Sequence, residues 1–278
     1  MSKQLPARPN LEHLRSQAKT LLTKLREGDA QAARTFAKYL PEAASLTDGQ
    51  IRERGFEFNI HDLNHDGNLY RNYEAFLERA KKINEYVDIY HARGFRAGAM
   101  YRNLEWYDAY SFSYDMSVPN VAHLEPQRGG GCTVMPYFVG KILEIPLTTC
   151  QDYSIFQILN DYSIELWKKQ LDLLRNRNGL MSFITHPDYL IERRARKVYE
   201  ELLDYLRQMV AREKIWTALP GDVDHWWRAR SEMQLVPHGD DWEIEGPQKD
   251  RACLAYAVLQ DGRMRYEVEG VRSERIPK

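Results

Sequence analysis

The sequence lacks the features that mark membrane-spanning, secreted and nucleic-acid-binding proteins. No apolar run approaches the roughly 18 residues that a membrane span requires, and the opening residues, MSKQLPARPN, hold no apolar stretch typical of a signal peptide. An excess of one charge is also missing, because 39 basic residues stand against 40 acidic ones and leave a net charge of −1. That balance provides no electrostatic attraction to nucleic acid or to an anionic membrane.

Cysteine is scarce as well. The three cysteines, Cys132, Cys150 and Cys253, are odd in number and show no Cys-x-x-Cys spacing. This pattern favours reduced thiols over a disulfide framework or a cysteine-rich zinc site. We therefore expect a cytoplasmic protein that binds neither membrane nor nucleic acid, and the composition leaves open whether it forms a homo-oligomer.

Residues 1–50 predict a helical N-terminal segment. Apolar residues recur there at helical spacing, at Leu11, Leu14, Ala18, Leu21, Leu22 and Leu25. A second helix follows and ends near Pro41, so the pair predicts an αα-hairpin that must bury its apolar stripe against another surface. The pair resembles the helical leader of some bacterial ankyrin-repeat proteins, although no repeat of about 33 residues follows it.

Residues 51–247 predict an α/β domain. Short apolar segments typical of strands alternate with amphipathic helices, in the order FEFNIH, FRAGAMY, FSYDMSV, ILEIPLTT, LMSFITH and IWTAL. Such alternation is typical of βα units joined into a mainly parallel sheet. The first helix of this domain is predicted to end at Gly94. Residues 248–278 predict a β-hairpin tail, because Asp261-Gly262 is a strong signal for a tight turn.

Histidine, arginine and aspartate side chains follow the predicted strands. His61 and His65 are four residues apart where FEFNIH ends, and imidazole is the commonest metal-binding side chain. His186 ends LMSFITH, and Arg96 and Asp115 lie at the ends of two strands between them. In α/β barrels the carboxyl ends of the strands are where active sites are built. Surface histidines and a structural Arg96–Asp115 ion pair are the alternative interpretation.

These residues, in this order, resemble the motifs of the polysaccharide deacetylase (NodB-homology) family. HDLNH is similar to the family's His-x3-His metal motif, RGFRAG to the motif whose arginine orients the catalytic base, and YDMSVPN to the aspartate motif that follows. SFITHPDY is similar to the last motif, whose histidine is the general acid. The resemblance implies a distorted (β/α)7 barrel and metal-dependent hydrolysis of N-acetyl groups on an oligo- or polysaccharide.

The resemblance also implies a role for each residue. His61 and His65 would be ligands of a divalent metal, zinc above all, and His186 would be the general acid that gives a proton to the leaving amine. Arg96 and Asp115 would support these three histidines at the catalytic centre.

The sequence departs from that family at its first motif, a strand whose two aspartates provide the base and a metal ligand. Residues 1–54 contain no such strand, and the only Asp-Asp pair is Asp240-Asp241, in a polar loop. We therefore expect a partial barrel, in which the N-terminal leucine stripe covers the gap. Asp66 is the substitute metal ligand, since Asp62 adjoins His61 on a strand and should point to the opposite face. The rival interpretation is a catalytically inactive relative that acts as a carbohydrate-binding or protein-interaction module.

Overall fold

The computed structural model describes residues 57–121, 127, 129–239 and 241–268 of the chain. The contacts divide the chain into two units, Met1–Glu57 and Phe58–Lys278. Every helix and strand of the described residues lies in the second unit. The predicted helical hairpin and its leucine stripe lie outside the described residues, as does the end of the predicted β tail.

The centre of this unit is a small, mostly parallel sheet. Its strands are β1 (Gly94–Phe95), β2 (Tyr114–Asp115), β3 (Tyr137–Val139) and β4 (Ile142–Glu144), in the spatial order β1-β2-β4-β3. Strands β1, β2 and β4 are parallel, whereas β3 pairs with β4 in an antiparallel hairpin. Ile60 extends the parallel part through a bridge to Phe95. The predicted α/β class is confirmed, and no sheet closes on itself within the part of the chain described.

Four α-helices lie within the described residues. The α-helices are α1 (Tyr73–Tyr90), α2 (Glu165–Arg175), α3 (Arg193–Glu213) and α4 (Pro220–Ser231). Short 3₁₀ helices cover Gly98–Met100, Leu104–Ala109, Pro187–Ile191 and Lys249–Arg251, and a π turn covers Ser154–Ile158. In the described residues no helix is both long enough and apolar enough to cross a membrane.

Helix α1 shows how the local sequence determines an element. The side chain of Asn72 caps it by accepting a hydrogen bond from the Ala75 N–H. Its buried stripe recurs at helical spacing and consists of Phe76, Ala80, Ile83 and Val87. The helix ends at His91, which is left-handed with φ of 48°, so the prediction of Gly94 as its stop is wrong. Gly94 lies in β1 instead, where a Cβ would come 2.1 Å from the ring of Tyr114.

Residues 180–186, predicted as a strand, do not form a backbone ladder. Side-chain hydroxyls hold them beside residues 146–152: Thr148 Oγ1 accepts from the Ser182 N–H at 3.0 Å and donates to the Leu180 carbonyl at 2.8 Å. The bonds advance along both segments together, so the segments run in the same direction. The predicted strand is therefore wrong, because serine and threonine hydroxyls replace the backbone partners that a strand would use.

Other predicted strands are shorter than expected. FEFNIH contributes the single bridge at Ile60. FRAGAMY contributes only Phe95 to β1, because its chain turns into the 3₁₀ helix at Gly98–Met100. IWTAL forms no strand; its Trp216 is half exposed and lies under the guanidinium of Arg251, 5.0 Å from the ring centroid.

Two β-hairpins follow α4. Strand β5 (Gln234–His238) pairs with β6 (Asp241–Glu245), and β7 (Ala255–Gln260) pairs with β8 (Arg263–Val268). The β7–β8 turn has Asp261 and Gly262 at φ of 51° and 75°, the left-handed angles that the Asp-Gly signal predicts. One face of this hairpin is apolar and carries the cross-strand pairs Ala255–Val268, Ala257–Tyr266 and Leu259–Met264.

A buried ion cluster fastens α4 to the sheet. Asp224 has no exposed surface and accepts hydrogen bonds from Arg93 at 2.8 Å, Arg228 at 2.8 Å and the Ser113 hydroxyl at 2.7 Å. Arg93 directly precedes β1 and Ser113 directly precedes β2, so the cluster lies at the amino ends of these parallel strands. The carboxyl ends of the same strands carry a different set of polar groups.

Candidate functional site

The carboxyl ends of the parallel segments carry the polar side chains that the sequence singles out. His61 follows the bridge at Ile60, Arg96 follows β1, and Asp115 ends β2. The hydroxyl-bonded segment that runs beside residues 146–152 ends at His186. Adjacent parallel segments therefore bring four of the candidate residues toward one edge of the sheet.

His61 and His65 form a close pair. Their ring centroids are 5.2 Å apart and the rings are nearly perpendicular, at 78°. His61 Nδ1 lies 2.8 Å from the carbonyl oxygen of Arg96. A carbonyl can only accept, so we assign the proton of neutral His61 to Nδ1, which leaves Nε2 with a free lone pair. Loss of water around the ring lowers the pKa of His61, because the charged imidazolium is less well solvated there. The lower pKa favours the neutral form that can bind a metal.

Asp66, the predicted third ligand, is bound elsewhere. Its two carboxylate oxygens each accept a hydrogen bond from Arg79 of α1, both at 3.1 Å, and Oδ1 also accepts from the Asn68 N–H at 2.8 Å. These bonds lower the pKa of Asp66 to about 2. This two-bond contact between Arg79 and Asp66 fixes the loop after His65 to helix α1.

Asp62 is the aspartate that approaches the histidine pair. It is buried, and Oδ2 accepts a hydrogen bond from the Gly98 N–H at 3.1 Å. A Cβ on Gly98 would lie 2.9 Å from Asp62 Oδ2 and 3.2 Å from Cδ2 of His65. The carboxylate and the imidazole therefore converge on the one residue in this turn that has no side chain.

The contacts of His61, His65 and Asp66 decide whether these residues can bind a metal ion together. Two neutral imidazoles suit two positions of a zinc site, but Asp66 does not suit a third because Arg79 occupies both of its oxygens. Within residues 57–121, 127, 129–239 and 241–268, no three His, Cys, Asp or Glu side chains are grouped closely enough to hold a metal ion. The described residues thus offer a pair of ligands rather than a complete set.

His186 forms a dyad with Asp152. Its Nδ1 lies 2.5 Å from Asp152 Oδ1, and its backbone N–H donates to Asp152 Oδ2, also at 2.5 Å. The Asp152 side chain is 3% exposed, whereas 35% of the His186 side chain reaches solvent. The ring also packs edge-on against Tyr189, with centroids 5.4 Å apart. A buried carboxylate on Nδ1 fixes the tautomer and leaves Nε2 for proton transfer.

Arg96 connects the dyad with the histidine pair. Its backbone carbonyl binds His61, while its half-buried guanidinium interacts with the charges of Asp152 and Asp115. Burial lowers the pKa of Arg96, and these two carboxylates oppose that shift. Arg96 therefore contacts His61 through its carbonyl, and its side chain interacts with the charge of Asp152, the partner of His186.

Asp115 lies beneath this site. It has no exposed surface, and its carboxylate accepts hydrogen bonds from the Tyr107 and Ser117 hydroxyls, each at 2.6 Å. Ser117 in turn accepts the Ala97 N–H at 2.8 Å. Asp115 therefore acts on the site through the residues that it positions and through its charge on Arg96.

Two acidic residues of this region, Asp152 and Glu144, are not predicted from the sequence. Asp152 ends the stretch that begins as ILEIPLTT, and an acidic side chain where an apolar run ends is the same signal that identifies Asp115. Glu144 lies inside that apolar run and pairs with Asp115 across β2 and β4. A single carboxylate between apolar residues is a signal for a buried, paired acid.

Comparison with known proteins adds no assignment. No protein-family model matches the chain, and no curated protein or solved structure matches it significantly. The groups at this site are therefore the basis for assigning a function.

Proposed function

We propose that this chain hydrolyses N-acetyl groups on a carbohydrate, as a relative of the polysaccharide deacetylases. The parallel sheet would be part of a distorted (β/α)7 barrel. The observation that carries the proposal is the hydrogen bond between the buried Asp152 and His186, together with the contact between the Arg96 carbonyl and His61. An amide is cleaved only when its nitrogen leaves as a protonated amine, and this dyad can provide the proton.

Each residue has a task in that reaction. Nε2 of His186 takes a proton from the water that adds to the acetamide carbonyl carbon, and gives that proton to the nitrogen as the carbon–nitrogen bond breaks. Asp152 stabilises the imidazolium form of His186 and holds its ring in one orientation. Arg96 balances the charge of Asp152. A divalent metal such as zinc would supply a Lewis acid and an activated water, with His61 and His65 as its described ligands.

The test is release of acetate from N-acetylated oligosaccharides by the purified chain, measured with and without added zinc. His186→Ala and Asp152→Asn should each lower the turnover rate by roughly 100-fold or more, the usual contribution of a general acid. His238→Ala, on the exposed strand β5, is the matched control and should retain the wild-type rate. Wild-type turnover by His186→Ala would refute the proposal.

A second candidate is a catalytically inactive relative that binds carbohydrate or protein. It is favoured by the engagement of Asp66 with Arg79, because that contact removes the carboxylate that the sequence offers to a metal. Isothermal titration with an N-acetylated oligosaccharide separates the two candidates. Saturable binding with no acetate released in the presence of zinc would support the inactive relative.

A further inference from the structure

Two carboxyl groups lie side by side in the core of the sheet. Asp115 of β2 and Glu144 of β4 are direct partners in the parallel register, and neither has any exposed surface. Neighbouring strands are about 4.8 Å apart, and paired residues point to the same face. Two negative charges at that separation, away from water, repel each other strongly.

The hydrogen bonds around the pair are unequal. Asp115 accepts hydroxyl donors on both oxygens, from Ser117 on Oδ1 and from Tyr107 on Oδ2. Glu144 accepts the Val118 N–H on Oε1 at 2.9 Å, while its Oε2 is buried with no donor from the described residues. A buried carboxylate oxygen that accepts no hydrogen bond costs free energy of folding. If the group is protonated, the same oxygen can carry the proton and donate a hydrogen bond.

Neither carboxyl forms an ion pair among the described residues, although the guanidinium of Arg96 interacts with the charge of Asp115. The charged and titratable groups that face Glu144 are Asp115 on β2, Tyr137 on β3, Tyr107 in the 3₁₀ helix Leu104–Ala109, and Arg102. Arg102 donates instead to the carbonyls of Met100 and Gly129.

The balance of these groups decides which carboxyl holds the proton. Burial, and then the charge of Asp115, raise the pKa of Glu144 well above its ordinary value. Burial raises the pKa of Asp115 as well. Two hydroxyl donors stabilise the Asp115 carboxylate, whereas Oε2 of Glu144 has no donor among the described residues, so we assign the proton to Glu144.

This pair reaches the candidate site through one hydroxyl. Ser117 donates to Asp115 and accepts the Ala97 N–H, and Ala97 directly follows Arg96. The backbone of that turn also provides the Arg96 carbonyl to His61 and the Gly98 N–H to Asp62. Anything that changes the state of Asp115 therefore acts on the turn that links the histidine pair with the dyad.

We propose that Glu144 is a positioning residue, kept as a neutral carboxylic acid that donates from Oε2 to Asp115 and thereby fixes the Ser117–Ala97 contact and the turn that carries Arg96. Ionisation of Glu144 would place a second negative charge on the pair and remove the hydrogen bond from Glu144 to Asp115. Asp115 would then lose the donor that fixes its position, and the Ser117 hydroxyl, which accepts the Ala97 N–H of the turn, would no longer have a fixed acceptor.

The proton itself is tested by infrared spectroscopy of the full chain at pH 7. Wild type should show the carbonyl stretch of a buried, protonated carboxylic acid. Glu144→Gln should lose this band, whereas Asp204→Asn, on the exposed face of α3, should keep it. Absence of the band in wild type, or its survival in Glu144→Gln, would overturn the proposal.

The positioning role is tested by hydrogen exchange of the Ala97 amide. Ser117→Ala removes its acceptor and should speed exchange by roughly tenfold or more. Glu144→Ala should do the same, while Glu144→Gln, whose amide can still donate to Asp115, should stay near wild type. The Ala92 amide, bonded to the Val87 carbonyl at the end of α1, is the control. Unchanged Ala97 exchange in a folded Glu144→Ala variant would overturn the positioning role; Ser117→Ala supplies the reference if that variant does not fold.

The effect on turnover rests on the proposed function. Wild type should lose kcat at alkaline pH as Glu144 ionises, whereas Glu144→Gln should keep kcat and lack this alkaline limb. An alkaline limb that persists unchanged in Glu144→Gln contradicts the catalytic consequence. If no variant releases acetate at any pH, the proposed function fails, and the infrared and exchange results still decide the role of Glu144.

Discussion

At the scale of single residues, one backbone angle decides which aspartate reaches the histidine pair. Asp62 has φ of 59°, a left-handed conformation that interrupts the alternation of an extended strand. Its carboxylate therefore turns to the Gly98 N–H, beside His65, instead of pointing to the opposite face from His61. Asp66 lies further along the same loop and is fixed by Arg79.

Zinc titration should distinguish these two aspartates. Asp66→Asn should leave the zinc affinity unchanged, because Arg79 already occupies that carboxylate. His61→Ala and His65→Ala should each weaken binding by more than the roughly 10–100-fold that loss of an outer-shell partner costs, since each removes a ligand itself. Isothermal titration into the chelator-treated protein measures this, with His238→Ala as control. A large loss of affinity in Asp66→Asn would restore Asp66 as a ligand.

Glu144 should also govern how stability depends on pH. Because burial raises the pKa of Glu144 above its ordinary value of 4.5, the folded state binds more protons than the unfolded state above that pH. The free energy of unfolding should therefore fall as pH rises from 4.5 toward the folded-state pKa, by at most about 1.4 kcal/mol per pH unit.

Urea unfolding of wild type and Glu144→Gln between pH 5 and pH 9 measures this dependence. The two curves should diverge in favour of the variant as pH rises, because glutamine carries no ionisable proton. Parallel curves would show that Glu144 is not the group responsible. Asp204→Asn, at an exposed position on α3, should follow the wild-type curve.

At the scale of elements, periodic helices are readable from the sequence and hydroxyl-bonded segments are not. Helices α1 and α2 follow from apolar residues at helical spacing, such as Ile83 and Trp167, because that spacing alone creates a face to bury. LMSFITH has the composition of a strand, yet its neighbour offers the Thr148 hydroxyl in place of a backbone partner. No local pattern reveals a partner more than 30 residues away.

Some residues of the candidate site are predictable from the sequence, whereas the contacts between them are not. His61 and His186 are found from the sequence because each ends an apolar segment, and strand ends collect at one edge. Arg96 is found through its motif, RGFRAG. The dyad between His186 and Asp152 joins residues 34 positions apart, so only the folded chain reveals it. The same is true of the pairing between Asp115 and Glu144.

Helix α4 should depend on its buried aspartate. Asp224→Ala would leave Arg93 and Arg228 without their shared acceptor, and breaking a buried ion pair from one side costs about 3–5 kcal/mol. Arg93 is half exposed and can regain water, so we expect the lower end of that range. Urea unfolding measures the loss, with Asp204→Ala as the exposed control. A loss no larger than that of the control would show that the cluster is not needed for stability.

At the scale of the whole molecule, charge balance and exposed apolar area act together on solubility. The chain has a net charge of −1 and a pI near 6.7, and the apolar face of β7–β8 exposes Leu259 and Met264 at 78% and 65%. Molecules with little net charge do not repel one another, so apolar contacts between them are unopposed.

Solubility should therefore be lowest near pH 6.7 and rise at pH 8.5. Light scattering at a fixed protein concentration across this range measures it. Leu259→Lys places a charge on the apolar face and should reduce scattering near pH 6.7, whereas Gln260→Lys, on the other face of the same strand, is the control for added charge. Equal effects of both substitutions would assign the change to net charge alone.

The cluster around Asp224 also has a consequence for the order in which the chain can assemble. Arg93 and Asp224 are 131 residues apart, whereas the β7–β8 hairpin closes over a two-residue turn. A hairpin forms in about 1–10 μs, but a contact between distant residues waits for the chain between them to become compact. A nascent chain that stops before residue 224 would hold β1 and β2 without this fastening. The contacts at the amino ends of β1 and β2 are therefore completed late in folding.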